Sequence, residues 1–286
     1  MSDANTSTNT GATTAADEWG AVADAWETRI GWIEDHNRVP TDAMIDALAI
    51  RAGDQLVEFA AGPGALTGEW VRRVGPHGTV LLTDVSPAMV AAAAKQAARY
   101  TNVSAAVADL ADLDLPHGAF DAAACRHGLM FAPEPQVALA NVAATLAPGG
   151  RLAALVWGPL DRNPWLTCVG MSAMMHGVAT GGPPVAPGQI FSLGDAERLA
   201  GLARDAGFVD VSVTEQPVVM PSDSAAEHVD RVLSFAGPLA AAFAQATPEQ
   251  QAAVRATAAE LAAPYADGDG RVAIPGLSLL LSARTA

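Results

Sequence analysis

The chain has 286 residues, enough for one large α/β domain or two small ones, and 50% of them are hydrophobic, so it can bury a sizeable core. Asp and Glu total 31 against 16 for Lys and Arg, which gives a formal net charge of −15. Proteins that bind nucleic-acid phosphates present concentrated basic surface, so this charge argues against a nucleic-acid partner.

The cysteines and the N-terminal residues indicate a cellular compartment. Cys125 and Cys168 are too few for a disulfide framework and lack the C-x-x-C spacing of a zinc site, which favours a reducing cytoplasm and predicts no metal site. Residues 1–15 are polar and lack the features of a signal peptide, so we expect a disordered tail there. No uninterrupted apolar run reaches about 18 residues, and we therefore expect no membrane association.

Two helices and then an alternation of strands and helices are predicted up to Trp157. Apolar residues at a three-to-four spacing predict a helix over Trp19 to Ile33, and a second helix follows over Thr41 to Ala49. Short apolar runs then predict five strands with helices between them, at residues 55–59, 79–85, 103–107, 120–125 and 151–157. Strands that alternate with helices imply a parallel sheet covered on both faces.

The pattern is less regular after Trp157. A helix is predicted at 195–206, a strand at 208–214, a long helical stretch at 224–265 and a last strand at 277–283. We therefore predict an α/β fold, a single Rossmann-like domain over residues 16–286 with a seven-stranded, mostly parallel sheet, helices on both faces and helical lid insertions. The core is expected at about residues 40–157, 195–216 and 271–286, with lid segments at about 16–39, 158–194 and 217–270.

A glycine turn and an acidic residue follow the first two predicted strands. Gly62 and Gly64 form a Gly-x-Gly turn, where the absence of a side chain lets the backbone approach a ligand closely. Asp84 ends the second strand, where a carboxylate can accept hydrogen bonds from both ribose hydroxyls of an adenosine. Together these features predict a nucleoside pocket.

These residues belong to a longer series of motifs. The sequence Val-Glu-Phe-Ala-Ala-Gly-Pro-Gly at 57–64 resembles the first motif of class I S-adenosylmethionine (SAM)-dependent methyltransferases, with Asp84 in the second. Ala-Asp-Leu at 108–110, Phe-Asp at 120–121 and Leu-Ala-Pro-Gly-Gly-Arg-Leu at 146–152 are similar to the later motifs of that family. The resemblance covers residues 55–157 and is greatest to small-molecule enzymes like those of coenzyme-Q biosynthesis.

The resemblance implies SAM as cofactor, S-adenosylhomocysteine (SAH) as its product, and a set of cofactor-binding residues. That set is Trp26, Glu58, Ala60, Gly62, Gly64, Asp84, Val85, Met89, Asp109, Leu110 and Arg126. Within it, Asp109 is expected to meet the adenine amino group, Trp26 to close over SAM, and Glu58 to order the glycine loop. Ala60 stands where the family usually has its first glycine, so the loop is expected to be slightly less open there.

A catalytic base is harder to assign from the sequence. Many relatives carry histidines after the fourth strand, but the matching positions here hold Met130 and Phe131. His127 lies three residues before Met130, at the carboxyl end of that strand, and is the candidate catalytic residue as a general base. The alternative is that its imidazole only hydrogen-bonds the amino-acid end of SAM or the loop backbone.

For methyl transfer from SAM, the protein mainly has to align the acceptor atom, the methyl carbon and the sulfur and to exclude water, so no elaborate catalytic group is required. We therefore interpret the chain as a methyltransferase for a small, apolar metabolite, in keeping with secondary metabolism, with an oxygen, nitrogen or carbon acceptor. Met171, Met174 and Met175 either pack or line an apolar substrate cavity. The sequence does not determine the oligomeric state, and a homodimer is one of the possibilities.

Two other functions stay open. The first is a SAM-binding protein without methyl transfer, cyclase-like or regulatory, which the same motifs allow. The second is an NAD(P)-dependent oxidoreductase, because its fingerprint also joins a glycine loop to an acidic second strand. Thr67 at the third fingerprint position and Pro-Gly-Gly at 148–150 argue against the second.

Overall fold

The computed structural model describes residues 14–179 and 184–286. Seven strands form one sheet in the order β3-β2-β1-β4-β5-β7-β6, in which all neighbouring strands are parallel except the pairs made by β7. The strands are β1 (Gln55–Phe59), β2 (Thr79–Asp84), β3 (Val103–Val107), β4 (Phe120–Arg126), β5 (Leu146–Trp157), β6 (Val209–Ser222) and β7 (Val272–Arg284). The predicted seven-stranded, mostly parallel fold is confirmed.

Eleven α-helices are described around the sheet. They are α1 (Ala15–Gly20), α2 (Ala23–His36), α3 (Arg38–Leu48), α4 (Thr67–Val74), α5 (Pro87–Ala97), α6 (Pro135–Thr145), α7 (Pro164–Met175), α8 (Ala196–Asp205), α9 (Ala225–Phe235), α10 (Pro238–Gln245) and α11 (Pro248–Ala262). None of the described helices is long and apolar enough to cross a bilayer.

The core lies on both faces of the sheet, as the alternation of strands and helices predicts. On one face α3 and α4 bury Met44, Leu48 and Trp70 against strand residues such as Leu56 and Leu82. On the other face α6 packs on β5 and α8 packs on β6 and β7. Consecutive alanines in the centre of β4 are fully buried, and their small side chains let helices approach the sheet closely.

Several predicted boundaries in the N-terminal region are wrong. The helix predicted over Trp19 to Ile33 is two helices, because the chain turns at residues 21–22 between α1 and α2. Most of the tail predicted at residues 1–15 lies outside the described residues, but Thr14 caps α1 through a reciprocal capping box with Asp17. Ala15 is the first residue of that helix.

The last two strands are much longer than predicted. β5 ends at Trp157, which pairs with Ser278 of β7. The β6–β7 pair extends further than this, to Ser222 of β6 and Val272 of β7. Prolines hide this extension in the sequence, since proline usually argues against a strand. They are tolerated because β6 is an edge strand and because Pro275 of β7 lies in the part of that strand that pairs with β6 and not with β5.

The two insertions form one helical lid. The stretch predicted as helical at 224–265 divides into α9, α10 and α11, with breaks at Gly237-Pro238 and at Thr247-Pro248. Helix α7, from the other insertion, packs on α11, where Ser172 Oγ donates to the carbonyl of Val254 at 2.8 Å. The lid therefore unites segments that are distant in sequence above one edge of the sheet.

Candidate functional site

A cavity of about 900 Å³ lies at the carboxyl ends of β1 to β5, between the sheet edge, the helices α1 and α2, and the lid. Open α/β sheets bind ligands at this edge. The volume is near the upper end of the range for small-molecule sites, about 300–1,000 Å³. One side of the cavity is polar and follows the ends of β1, β2 and β3, whereas the side under the lid is mostly apolar.

Both glycines of the loop after β1 have left-handed backbone, a conformation that glycine adopts without strain. Gly62 has φ of 54° and Gly64 has φ of 78°. Gly62 lines the cavity, but Gly64 does not. A Cβ on Gly64 would lie 3.2 Å from the Cα of Ala93 in α5, so a side chain here would crowd the packing of the loop against α5.

Ala60 also lines the cavity and has φ of 52°, which is unusual for a residue with a side chain. Its Cβ points at Gly128, where an added Cβ would overlap it. Gly128 therefore accommodates the alanine that stands at the usual first glycine. Sequence reasoning missed this pairing, because 68 positions separate the two residues in the chain.

We expect Gly128→Ala to destabilise the protein by about 1–3 kcal/mol, because the new methyl overlaps Ala60 in a packed site. In the double variant with Ala60→Gly, most of that loss should be recovered. Urea unfolding of the wild type, both single variants and the double variant forms a double-mutant cycle that isolates the coupling. Additive effects of the two substitutions would contradict the steric pairing.

Asp84 is the central acidic group of the polar side. Its Oδ2 accepts a hydrogen bond from the amide of Gly62 at 3.0 Å, and its Oδ1 accepts one from the amide of Ser86 at 2.9 Å. Burial raises the pKa of Asp84, against the lowering effect of these backbone donors. Each carboxylate oxygen keeps lone-pair capacity for a further donor from the cavity, as a ribose diol requires.

The neighbouring residues of this side follow β2 and β3. Asp109, Leu110, Val85 and Met89 all line the cavity beside Asp84. The carboxylate of Asp109 accepts a hydrogen bond from the amide of Ala111 at 2.9 Å, which fixes the turn after β3. These residues and Asp84 are thus brought together as the resemblance implies.

Glu58 lies at the bottom of the cavity near the end of β1 and is almost completely buried. Its carboxylate accepts a 2.7 Å hydrogen bond from the indole of Trp70. Burial raises the pKa of Glu58 to about 7, although Arg126 and the indole bond lower it. This carboxyl therefore titrates near neutral pH.

Arg126 at the end of β4 joins the N-terminal helices to the sheet. Its guanidinium forms a two-pronged ion pair with Glu34, at 2.9 and 2.6 Å, and donates to Thr41 Oγ1 at 3.1 Å. Arg126 lines the cavity, and these partners take three of the four N–H groups on its terminal nitrogens. Sequence reasoning missed Glu34 and Thr41, because a lone helix acid and a helix-start threonine carry no signal for a distant partner.

Trp26 connects α2 to the lid. Its indole donates to the carbonyl of Phe235 at 2.9 Å, and its ring meets the rings of Trp19 and Phe235 edge to face. Trp26 also lines the cavity.

His127 lies between the two sides of the cavity, with a left-handed φ of 55°. Its ring stacks on Trp157 with a centroid distance of 4.2 Å, and its Nε2 lies 3.0 Å from Ser278 Oγ. Burial, and then the charge of Arg126, lower the pKa of His127 to about 3. The imidazole is thus neutral and a weak base, which favours a hydrogen-bonding role over the predicted role of general base.

The lid side of the cavity is aromatic and aliphatic. Its walls are Phe131, Trp157, Trp165, Leu166, Phe191, Met220 and Leu239. Met171 and Met174 line the cavity and are about half exposed, at 51% and 52%, which places them at its mouth. Met175 does not line it. Within the described ranges, no cluster of three or more His, Cys, Asp or Glu side chains could hold a metal ion.

Comparison with known proteins matches part of this chain to a family. Residues 56–150 match the family described as methyltransferase domain. The ubiquinone/menaquinone biosynthesis C-methyltransferase UbiE of Chromobacterium violaceum is 34% identical over 130 residues, which are 44% of this chain and 53% of that protein. The chain thus spans about half the length of the curated relatives that it matches.

Solved structures are similar to most of this chain. Phosphoethanolamine N-methyltransferase 2 of Haemonchus contortus, solved with phosphomonomethylethanolamine and SAH, is similar over 96% of this chain and 60% of that chain, at 14% identity and a TM-score of 0.59. The cyclase SpnF is similar over 86% of this chain and 79% of that chain, at 22% identity and a TM-score of 0.52. At these identities the similarity shows the class I fold alone.

Proposed function

We propose that this chain, which contains a SAM-dependent methyltransferase domain with the class I fold, transfers a methyl group from SAM to a small, apolar molecule. The observation that carries the proposal is the pairing of Asp84 with the glycine loop through the amide of Gly62. It sets a carboxylate with free acceptor capacity beside an open loop backbone, at the edge where open α/β sheets bind ligands.

The residues present fit SAM. Asp84 is suited to the ribose hydroxyls, Asp109 to the adenine amino group, and the loop from Ala60 to Gly62 to the amino-acid end, because these groups line one continuous side of the cavity. The carboxylates on that side also suit a positively charged sulfonium. Asp84 and Asp109 hold their backbone turns in place, so their positions are set before a ligand binds.

When bound, SAM supplies a methyl group already activated by its sulfonium, so the protein has to align the acceptor and exclude water. Trp26 and the lid cover the cavity from above, and the aromatic walls under the lid orient an apolar acceptor. Neutral His127 can hydrogen-bond the acceptor, and with its low pKa it leaves proton removal to the acceptor's own acidity or to water.

Finer aspects of the proposal rest on the sequence. The net charge of −15 supports a small-molecule substrate and argues against nucleic acid as a partner. Cys125 and Cys168 are both buried and unbridged, which supports a cytoplasmic location. The apolar lid supports an acceptor from secondary metabolism, and a monomer and a homodimer are both compatible with the cavity as described.

The experiment that tests the function is product analysis. The protein is incubated with SAM and a panel of small aromatic alcohols, amines and activated carbon acids, and both SAH and methylated product are measured. Equal amounts of the two would support methyl transfer. SAM binding without SAH formation on any acceptor would instead favour the binding-only alternative, and no SAM binding would overturn the proposal.

Replacing His127 with alanine should lower kcat by about threefold to tenfold, because it removes one hydrogen bond to the acceptor, whereas proton removal does not depend on this weakly basic imidazole. SAH affinity should change by less than about twofold, since Asp84 and the loop bind the cofactor. The control is Ser278→Ala, which removes only the partner of Nε2. Equal losses of kcat and SAH affinity would make His127 a cofactor residue.

A further inference from the structure

The imidazole of His127 is held in one orientation by two contacts. One ring face stacks on Trp157 with 9° between the planes, and Nε2 lies 3.0 Å from Ser278 Oγ. Trp157 ends β5 and Ser278 lies in β7, whereas Asp84 ends β2 on the far side of β1. The imidazole is therefore turned away from the ribose-binding carboxylate and toward the part of the cavity where we expect the methyl acceptor.

Ser278 determines which ring nitrogen of His127 carries the proton. Ser278 is fully buried, and the imidazole is the one hydrogen-bond partner of its hydroxyl among the described residues. A proton on Nε2 would be donated to Oγ and would leave the hydroxyl proton buried without an acceptor. If Oγ donates to Nε2 instead, both groups are satisfied and the neutral ring carries its proton on Nδ1. Rotation of the ring by half a turn would replace Nε2 with a carbon and leave Oγ unpaired, so the orientation is fixed as well.

The other ring nitrogen, Nδ1, is open to the cavity. In the part of the chain that the structure describes, two unpaired side-chain atoms are sealed from solvent, Asn37 Oδ1 and His228 Nδ1. His127 Nδ1 is also without a partner within those ranges but is not sealed, and His127 is a partly buried residue that lines the cavity. A ligand in the cavity can therefore reach Nδ1, where it meets a hydrogen-bond donor.

We propose that His127 donates a hydrogen bond from Nδ1 to an oxygen of the methyl acceptor, and that Ser278 is the positioning residue that keeps the proton on Nδ1. The proposal rests on the proposed function and specifies its substrate class. An oxygen has a second lone pair for the methyl group of SAM, whereas an amine would use its single lone pair in the hydrogen bond. The acceptor is thus a hydroxyl compound, methylated on this oxygen or on a carbon conjugated with it.

This transfer balances without a base on the protein. The bond from sulfur to the methyl carbon breaks and leaves its electron pair on the sulfur of SAH, while an electron pair of the acceptor forms the new bond to that carbon. The proton of the acceptor passes to water, because Nε2 is engaged by Ser278 and Nδ1 already carries a proton. A phenol or an enol, which loses a proton more readily than an alcohol, fits this requirement.

The tautomer is measured by NMR on the intact protein with isotope-labelled histidine, because protonated and unprotonated ring nitrogens have very different chemical shifts. The spectrum of His127→Phe identifies the His127 signals among those of the six histidines. We expect a protonated Nδ1 and an unprotonated Nε2 in the wild type. In Ser278→Ala no hydrogen bond selects the tautomer, so both should be populated.

The donor is tested with two uncharged probes of one shape on protein saturated with SAH. 2-Acetylnaphthalene carries a carbonyl oxygen, and 2-isopropenylnaphthalene has a methylene group in its place. Equilibrium dialysis should show that the wild type binds the ketone about threefold to tenfold more tightly than the alkene, the effect of one hydrogen bond. The ketone should also move the Nδ1 signal, whereas SAH alone should leave it almost unchanged.

The variants assign that preference to one side chain. His127→Phe, whose ring can keep the stack on Trp157, should bring the affinity ratio of ketone to alkene close to one. His127→Ala serves the same purpose if the phenylalanine variant does not fold. Thr167→Val, which removes another polar group of the cavity wall, should keep the ratio of the wild type. SAH affinity, measured first, shows that each protein is folded.

Four results would overturn the inference while SAH binding, and with it the proposed function, stands. They are a proton on Nε2 in the wild type, an unchanged tautomer in Ser278→Ala, an Nδ1 signal that already shifts fully with SAH alone, and no preference of the wild type for the ketone, which includes absence of ketone binding. Loss of SAH binding by the wild type would count against the proposed function instead, so the two failures are distinguishable.

Discussion

Asp84→Ala is expected to weaken the binding of both SAM and SAH by about a hundredfold to ten-thousandfold. Two hydrogen bonds from ribose hydroxyls to a carboxylate contribute about 1.5–3 kcal/mol each, and the substitution removes both. It also frees the amide of Gly62, which Asp84 holds at 3.0 Å, so the loop loses its anchor to β2. Calorimetric titration with each ligand measures the loss without knowledge of the methyl acceptor.

Stability separates this effect from simple misfolding. Burial raises the pKa of Asp84, so ionised Asp84 costs folding free energy at neutral pH. Asp84→Asn removes the cost of ionisation but sets its NH2 group against the amide of Gly62 or of Ser86, so its urea midpoint should fall by less than that of Asp84→Ala while it still binds SAH poorly. The matched control is Asp109→Ala, an exposed carboxylate on the same side, which should weaken binding by about tenfold or less. Tight SAH binding by the Asp84 variants would refute the assigned pocket.

The half of the site built from β1, β2 and β3 could be predicted because its residues are neighbours in a motif. Strand, glycine turn and terminal acid follow each other within 30 residues from Gln55 to Asp84, and parallel strands bring their carboxyl ends to one edge. Gly64 shows the limit of such reasoning. It was assigned to the cofactor by its place in the motif, but in the structure it packs against α5 and does not reach the cavity.

The other half of the site depends on contacts between residues that are distant in sequence. Arg126 forms an ion pair with Glu34, and His127 forms a hydrogen bond with Ser278. The unpaired side-chain oxygen of Asn37 is likewise visible only in the folded structure. No periodicity or spacing marks such residues, because each is an ordinary helix or strand residue in its own segment. The extended β6–β7 pair, which supports the lid, was likewise concealed by its prolines.

Glu58→Gln is expected to stabilise the protein against unfolding above about pH 7. The pKa of Glu58 is about 7 in the folded chain against 4.5 for the free side chain, mainly because of burial. Glu58 therefore contributes stability below about pH 4.5 that is lost as the pH rises through about 7. The difference between these pKa values corresponds to about 3 kcal/mol. Glutamine cannot ionise and still offers an oxygen to the indole of Trp70.

Urea unfolding of both proteins at several values between about pH 5 and pH 8 measures this difference in the free energy of unfolding. The advantage of Glu58→Gln should be small at about pH 5, grow up to about pH 7 and level off above it. Glu69→Gln is the control, because its hydrogen bond with Arg72 lowers the pKa of Glu69 from 4.5, so this group titrates below the measured range and its difference from wild type should be nearly constant between about pH 5 and pH 8. A constant difference between Glu58→Gln and wild type would mean that Glu58 stays ionised throughout, and the positive sulfonium of SAM would then meet a permanent charge at the end of β1.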